Sequence, residues 1–281
     1  TEYVSFISTV TTVDKKSGRL HIRYLREDKS NIIRAEGTIP AKRRLTDWAS
    51  VYNPTLYFVT VLKETLEKEG IIIKGKAMDI DELKDKTSVH KDLHILDTYV
   101  SPPMATIIRV INQRSQNFYA EQVLKTIGKI VKGEGSFIAG CNAVIDFLDK
   151  ENIFVPGTVM IDGSGLSRLN RVSCVQLVRL LQYMAHRIDA KIFFNSLPRG
   201  GISGTLAWRF QKTAEARSSA SHIWGKTGTL GGVNSLTGVV TTRRGQKLYY
   251  SIIVNAFSVS SSTRLKLIDD IVLTIASRDY I

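Results

Sequence analysis

The chain has 281 residues, 43% apolar and 23% charged, and a formal net charge of +13 from 39 basic and 26 acidic side chains. That length suits one large domain or two smaller ones, and the composition excludes a fibrous or largely disordered chain. No apolar run approaches the roughly 18 residues of a membrane span, and two cysteines, Cys141 and Cys174, exclude a disulfide scaffold.

Taken in chain order, the first 50 residues read as strands. Tyr3–Val13 and Leu20–Leu25 are rich in β-branched and aromatic side chains, with a turn-like Asp14–Gly18 between them and a shorter candidate at Asn31–Gly37. A helix follows, capped by Asn53 and opened by Pro54, with Leu56, Val59, Leu62 and Leu66 at helical spacing and Gly70 closing it. Ile71–Lys74 reads as strand again. The charged, weakly periodic stretch 79–97 suits a connector, which places a domain boundary at about 90/91.

A helix pair comes next. Ser101-Pro102 is a start signal, and Met104, Ile107, Ile108 and Ile111 form an apolar stripe. A second stripe, Ala120, Val123, Leu124 and Ile127, is expected to end at Gly128, which puts Arg114-Ser115-Gln116-Asn117 at the turn between two buried helices. Further helices are expected over 136–149 and from a Ser173 cap to about 187. The chain ends in an antiparallel meander, Ser221–Lys226, Ser235–Thr241 and Lys247–Ala256, with turns at Gly228–Gly232 and Arg243–Gly245. An amphipathic helix through Leu265, Ile268, Ile271, Val272 and Ile275 completes it.

Two short constellations could carry chemistry. Lys226-Thr227-Gly228-Thr229 ends a predicted strand. It offers a fixed positive charge and two hydroxyls of the same strand parity, both able to donate to one anion, while Gly228 permits close approach and the strand edge can accept an extended peptide. Alone it reads equally as an exposed strand end. Ser115-Gln116-Asn117 presents a hydroxyl and a carboxamide on one turn. The serine can relay a proton and the asparagine can bind an amide; alone, the three residues read as polar capping at a helix–helix turn.

Together, S-x-N followed by K-T-G are the second and third elements of the penicillin-recognising serine enzymes, whose first is S-x-x-K. Six segments occur in order: Asn53-Pro-Thr-Leu-Tyr57, Ser101-Pro-Pro103, Ser115–Glu121, Asp162-Gly-Ser-Gly-Leu-Ser-Arg-Leu-Asn170, Leu197–Leu206 and Lys226–Leu230. On these the chain closely resembles the class C low-molecular-mass penicillin-binding proteins, the D-alanyl-D-alanine carboxypeptidase/endopeptidase family, over roughly residues 50 to 257. The resemblance implies an α+β fold: a penicillin-binding, serine β-lactamase-like antiparallel sheet flanked by helices, over residues 91–281. Residues 1–90 would be the C-terminal part of an inserted β-rich domain.

It implies acyl transfer through an acyl-serine on peptidoglycan stem peptides ending in D-Ala-D-Ala, with β-lactams acylating the same serine and no cofactor or metal. In that scheme Ser115 relays a proton, Asn117 binds the substrate amide and Lys226 anchors Ser115 electrostatically. Thr227, Gly228 and Thr229 line the substrate site, the two threonines holding the carboxylate and the Thr229 N–H serving as an oxyanion donor. A lysine with two threonines suits a free C-terminal carboxylate, which favours carboxypeptidase over endopeptidase action. The 162–170 stretch is read as a structural turn, without a catalytic role for Ser164 or Ser167. The substrate places the working compartment outside the cytoplasmic membrane, in the periplasm or its equivalent.

The first motif is the exception. The sequence match to S-x-x-K, Ser88-Val89-His90-Lys91, sits in a charged stretch without a buried-helix stripe and only 27 residues before Ser115, so it is rejected as the nucleophile. The expectation is that the nucleophile and general base lie upstream of Thr1 and that the chain is the C-terminal portion of a longer enzyme. A non-catalytic peptidoglycan-binding paralogue is the alternative. Nucleic acid is suggested only by the charge, of which residues 163–281 carry 16 basic against 5 acidic side chains. Basic residues interleaved with stacking aromatics are not found, so no nucleic-acid partner is expected. Cys141 and Cys174 read as buried thiols, and His90 and His94 have ligand-like spacing but no third partner.

Overall fold

The computed structural model describes residues 1–15, 18–85, 94–95, 97–255 and 258–277. They form two compact units, Thr1–Thr98 and Tyr99–Ile281. The expected boundary at 90/91, the Ser88–Lys91 motif and His90 lie outside the described residues.

Among the described residues, the first unit is a small mixed sheet with one α-helix. β1 (Ser5–Ser8), β2 (Thr11–Val13), β3 (His21–Leu25) and β4 (Ile32–Pro40) are its strands. β4 is central. β1 and β2 pair parallel to it on one side in a single continuous register, Ser5 with Ile32 and Thr11 with Thr38, and β3 pairs antiparallel on the other. The single strand expected over Tyr3–Val13 is thus two. At the break between them Ser8 Oγ accepts the Val10 N–H at 3.4 Å. Along β4 Ile33 and Ala35 point into the core and their neighbours point out. Gly37, at φ +126°, has no room for a side chain, since a Cβ would stand 2.0 Å from the His21 carbonyl.

α1 (Pro54–Lys68) begins as its sequence requires, the Asn53 side chain accepting the Leu56 N–H at 2.9 Å. Gly70, at φ +88°, follows its end. The strand expected at Ile71–Lys74 does not form. The Ile71 N–H closes the helix by donating to Leu66 O at 3.0 Å, and Lys63 Nζ holds the Gly75 carbonyl at 2.8 Å. The segment is tied to α1 at both ends, and Ile72 is left 86% exposed.

The second unit is an α+β layer structure. α2 (Met104–Arg114), α3 (Asn117–Lys132), α4 (Phe137–Lys150), α5 (Cys174–Ala185), α6 (Ala190–Ser196) and α7 (Ala214–Ala220) precede a three-stranded antiparallel sheet. Its strands are β5 (Ile223–Leu230), β6 (Val233–Thr241) and β7 (Lys247–Asn255), in that order, and α8 (Ser261–Ser277) ends the unit. α6 and α7 were not expected; at 7 residues each they are too short for a helical period to stand out.

Gly128 does not end α3, which continues to a left-handed Gly133 at φ +79°. The reason is packing. A Cβ on Gly128 would meet Gly140 N at 2.7 Å, and one on Gly140 would meet Leu124 O at 2.4 Å. The two glycines are where α3 and α4 cross, not stop signals.

The sheet's alternation sends Ile223, Leu236, Val240 and Tyr250 to one face, where they pack with Ile268, Val272 and Ala276 of α8. Trp224, Val239 and Tyr249 form a cross-strand row on the opposite face, lining a cavity with Ala185, Ala190 and Phe194 at the ends of α5 and α6. Helices therefore cover both faces. Cys141 is buried and burial pushes its thiol pKa up; Cys174 is partly buried, and both are unpaired with each other.

Candidate active site

β5 is an edge strand of its sheet, and only its first half is covered. Gly200 donates to Ile223 O at 2.9 Å and Gly225 donates to Pro198 O at 3.0 Å. The backbone groups of residues 223 and 225 thus point away from β6. By the alternation of an antiparallel ladder those of Thr227 and Thr229 do too, along the edge beyond Gly225. The turn expected at Gly228–Gly232 is shorter than the sequence suggests. β5 runs through Gly228 to Leu230, and the hairpin closes on Gly231-Gly232, with Gly232 at φ +83°.

The strand is set in height by a missing pair of side chains. Gly225 and Gly238 face each other across β5 and β6. A Cβ on Gly238 would lie 1.9 Å from the Trp224 carbonyl, and one on Gly225 would lie 2.8 Å from the Tyr250 hydroxyl. Tyr250 fills that space, its hydroxyl donating to Trp224 O at 3.3 Å, and burial pushes its pKa far up, so it stays a neutral donor.

α2 ends at Ser115, which adopts a left-handed conformation at φ +52°, ψ +48°. For a residue with a side chain that conformation costs on the order of 1 kcal/mol. Gln116 caps α3, its Oε1 accepting the Phe118 N–H at 3.2 Å, and Asn117 is the first residue of that helix and exposed. The strained cap turns the Ser115 side chain toward β5. Lys226 Nζ donates to Ser115 Oγ at 2.8 Å and to Thr227 O at 2.8 Å. Burial lowers the Lys226 pKa, because its ammonium is partly removed from water. With the lysine donating, the serine keeps its own proton free to be passed to a third group.

The structure thus brings Ser115, Lys226 and Thr227 together, with Gly228 and Thr229 following on the same strand. Thr227 and Thr229 share one face of β5 and Lys226 the other. Thr227 Oγ1 donates to Thr205 Oγ1 at 2.9 Å, and Asn234 Nδ2 donates to Thr229 Oγ1 at 3.4 Å. Gly228 leaves room for the Ser235 side chain, since a Cβ there would stand 2.4 Å from its Oγ.

Several positioning residues escaped the sequence reading. Asn112 Nδ2 donates to Ser196 Oγ at 2.7 Å. Gln113 Nε2 donates to Ser196 O at 3.1 Å and Leu197 O at 2.8 Å, pinning the last turn of α2 to the end of α6. In the sequence they only lengthen the polar run that leads from Ile111 into the 114–117 turn, so nothing sets them apart. The 162–170 turn is a hydrogen-bonded unit. Asp162 accepts from Gly165 N at 2.7 Å and Ser167 N at 2.6 Å, Asn170 spans it, and Glu121 of α3 accepts from Gly163 N and Ser164 N at 2.9 and 3.0 Å. Arg168 reaches the hairpin tip at Gly231 O, 3.1 Å. Between this turn and the outer part of β5 lies a groove of about 800 Å³, lined by Asp162, Gly165, Arg168, Thr229 and Ser235 among others.

Comparison with known proteins is consistent across sequence and fold. A family model described as the D-Ala-D-Ala carboxypeptidase 3 (S13) family matches residues 9–277. A D-alanyl-D-alanine carboxypeptidase from an Actinomadura species is 32% identical over 235 residues, 82% of this chain and 42% of that protein. The carboxypeptidase DacB of Haemophilus influenzae is 27% identical over 210 residues, 74% of this chain and 42% of that one. The chain therefore spans about two fifths of the length of these relatives. The crystal structure of penicillin-binding protein 4 from Haemophilus influenzae, complexed with a β-lactam, superposes with a TM-score of 0.78 at 22% identity, covering 98% of this chain and 64% of that one. No described helix is long and apolar enough to cross a membrane.

Proposed function

The chain belongs to the D-Ala-D-Ala carboxypeptidase 3 (S13) family, and on that premise we propose that it carries the substrate-binding side of a serine acyl-transfer site. The site acts on the D-Ala-D-Ala ends of peptidoglycan stem peptides. The observation that carries the reading is the 2.8 Å bond from Lys226 Nζ to Ser115 Oγ, made across two elements far apart in sequence.

An extended peptide lies along the open half of the β5 edge, bonding the outward N–H and C=O groups of Thr227 and Thr229 as an added strand. Its terminal carboxylate is held by the hydroxyls of Thr229 and of Thr227, whose proton turns from Thr205 to the carboxylate on binding, with Gly228 between them, in the positive field of Lys226. Asn117, exposed at the first turn of α3, binds the amide of the penultimate residue. The Thr229 N–H stabilises the oxyanion that forms as the carbonyl is attacked; aimed groups of this kind contribute roughly 3 kcal/mol each. Ser115 passes a proton toward the leaving amine. Its own proton is free because Lys226 already donates to its oxygen, and burial, which lowers the pKa of that ammonium, makes the donated hydrogen easier to share.

The attacking serine and its base, the S-x-x-K pair, are proposed to lie in a part of the protein outside these 281 residues, in keeping with the relatives' greater length. β-Lactams acylate that serine, and the work is done outside the cytoplasmic membrane, where the substrate is. The free-carboxylate geometry favours carboxypeptidase over endopeptidase action.

Labelling with a fluorescent penicillin tests this. The full-length protein is expected to be acylated stoichiometrically, and residues 1–281 alone are expected to remain unlabelled. Labelling of residues 1–281 that disappears with Ser88→Ala would overturn the placement of the nucleophile. A full-length protein that binds a D-Ala-D-Ala peptide yet is never acylated would establish the non-catalytic, peptidoglycan-binding reading instead.

A further inference from the structure

Behind the outer part of β5, on the face opposite Lys226, lies a buried polar chain. Asn234 of β6 is the cross-strand partner of Thr229 and is fully buried. Its Oδ1 accepts from Arg264 Nε at 2.7 Å and from Ser261 Oγ at 3.1 Å, both from the first turn of α8. Arg264 is itself 6% exposed. A guanidinium donates and never accepts, so this contact fixes which end of the Asn234 amide faces α8. The other end, the NH2, faces Thr229 Oγ1 at 3.4 Å.

An amide nitrogen has no lone pair to offer a hydroxyl. The Thr229 oxygen opposite it must accept, and the single Thr229 proton must point elsewhere. Thr229 is exposed at the open strand edge, so the free direction is outward. We infer that Arg264 and Asn234 are positioning residues that hold the Thr229 hydroxyl as a hydrogen-bond donor toward the substrate carboxylate. A hydroxyl left to rotate presents a donor or a lone pair with equal ease. Here the polarity is set in the core, by a guanidinium that can only donate, and it selects an anion over a neutral amide at the substrate terminus. The inference rests on the carboxylate reading of Thr229 given above and adds the residues that enforce it.

The test exchanges polarity without changing shape. In Asn234→Asp, one oxygen keeps the contacts with Arg264 and Ser261, and the other presents an acceptor to Thr229, which turns its proton inward. In the full-length protein, kcat/KM is measured for a D-Ala-D-Ala peptide and for the same peptide capped as its C-terminal amide. Their ratio is independent of the active fraction. We expect Asn234→Asp to lower that ratio about tenfold, the size of one charge-assisted hydrogen bond, and Thr229→Val to lower it similarly. The double variant should be no worse than Thr229→Val by more than about twofold, because both changes act through one hydroxyl.

An unchanged ratio in Asn234→Asp with a lowered ratio in Thr229→Val overturns the positioning role and leaves the carboxylate reading standing. An unchanged ratio in Thr229→Val in an active enzyme overturns the carboxylate reading itself. Multiplying effects in the double variant also overturn the positioning role. Should Asn234→Asp not fold, neutron diffraction from the parent protein decides the matter. The Thr229 hydroxyl hydrogen is expected to point away from Asn234, and a hydrogen directed at Asn234 overturns the inference.

Discussion

The Lys226 ammonium and the Ser115 hydroxyl, 111 positions apart in sequence, stand 2.8 Å from each other because a strained helix cap turns one toward an edge strand that carries the other. Lys226 is charged at a cost. Burial lowers its pKa below the ordinary 10.5, so the unfolded chain holds that proton more tightly than the folded one. Stability therefore rises with pH through the folded-state pKa and levels off above 10.5, the penalty of the buried charge being full at lower pH. Lys226→Met removes the charge and keeps the stem. It should be within about 1 kcal/mol of the parent or more stable at neutral pH, and the parent should gain on it as pH rises toward 10.5. In the full-length protein the same variant should lose penicillin acylation by about 100-fold or more. Denaturant titrations at several pH values and labelling rates check both arms; a parent that loses ground to Lys226→Met with rising pH contradicts the burial argument.

Gly238→Ala should be among the most damaging small substitutions in the second unit. Its new methyl would stand 1.9 Å from the Trp224 carbonyl and 2.6 Å from Gly225 Cα, both backbone atoms. Relief requires β5 and β6 to part just before Lys226. A loss of about 3 kcal/mol is expected, with weakened penicillin labelling of the full-length protein. Gly75→Ala, where a Cβ meets nothing within 4 Å, serves as the control and should change stability by less than about 0.5 kcal/mol.

What could be read from the sequence depended on whether the signal was local. Asn53, Ser136 and Ser173 cap helices because capping needs only neighbours, and all three were recognisable as helix starts. Ser115 and Lys226 stand out as candidates because their motifs are short strings, and the fold brings the two together. Gly128 was misread as a stop because a glycine that ends a helix and one that lets two helices cross are identical in sequence; Gly140 decides between them, and it belongs to the next helix. Ile71–Lys74 has strand composition, but the preceding helix end claims its first N–H. The contacts that position the site, Gln113 to Leu197, Tyr250 beneath Gly225 and Arg264 to Asn234, each join elements whose adjacency is a property of the fold.

Gln113 offers a test of positioning at the Ser115 end. Its amide donates to two carbonyls at the close of α6, and Gly204, at φ +58°, packs against it with no room for a side chain. Gln113→Leu keeps the volume and leaves those carbonyls without that donor, which costs about 1–3 kcal/mol. The last turn of α2 is then free to shift, and Ser115 is two residues away. In the full-length protein, kcat for a D-Ala-D-Ala peptide is expected to fall about tenfold or more with KM changed less than threefold, because proton transfer is more sensitive to small displacements than binding. A rise in KM alone would assign Gln113 to the binding surface instead.

Glu121 should hold the 162–170 turn through two backbone bonds that only a carboxylate can make together. Its Oε2 and Oε1 accept from Gly163 N and Ser164 N at 2.9 and 3.0 Å. Glu121→Gln keeps the shape but turns one acceptor into an NH2, which then faces a backbone N–H as donor against donor. One bond is lost and the remaining one is no longer charge-assisted, a change of about 1.5–3 kcal/mol. The Asp162 bonds to Gly165 and Ser167 are untouched, so the turn should keep its internal form while detaching from α3. Amide hydrogen exchange separates the two levels: the Gly163 and Ser164 amides should exchange about tenfold or more faster, the Gly165 and Ser167 amides little changed. Equal acceleration at all four would mean that Glu121 supports the whole turn, and no acceleration at any would mean that Asp162 suffices to hold it against the groove wall.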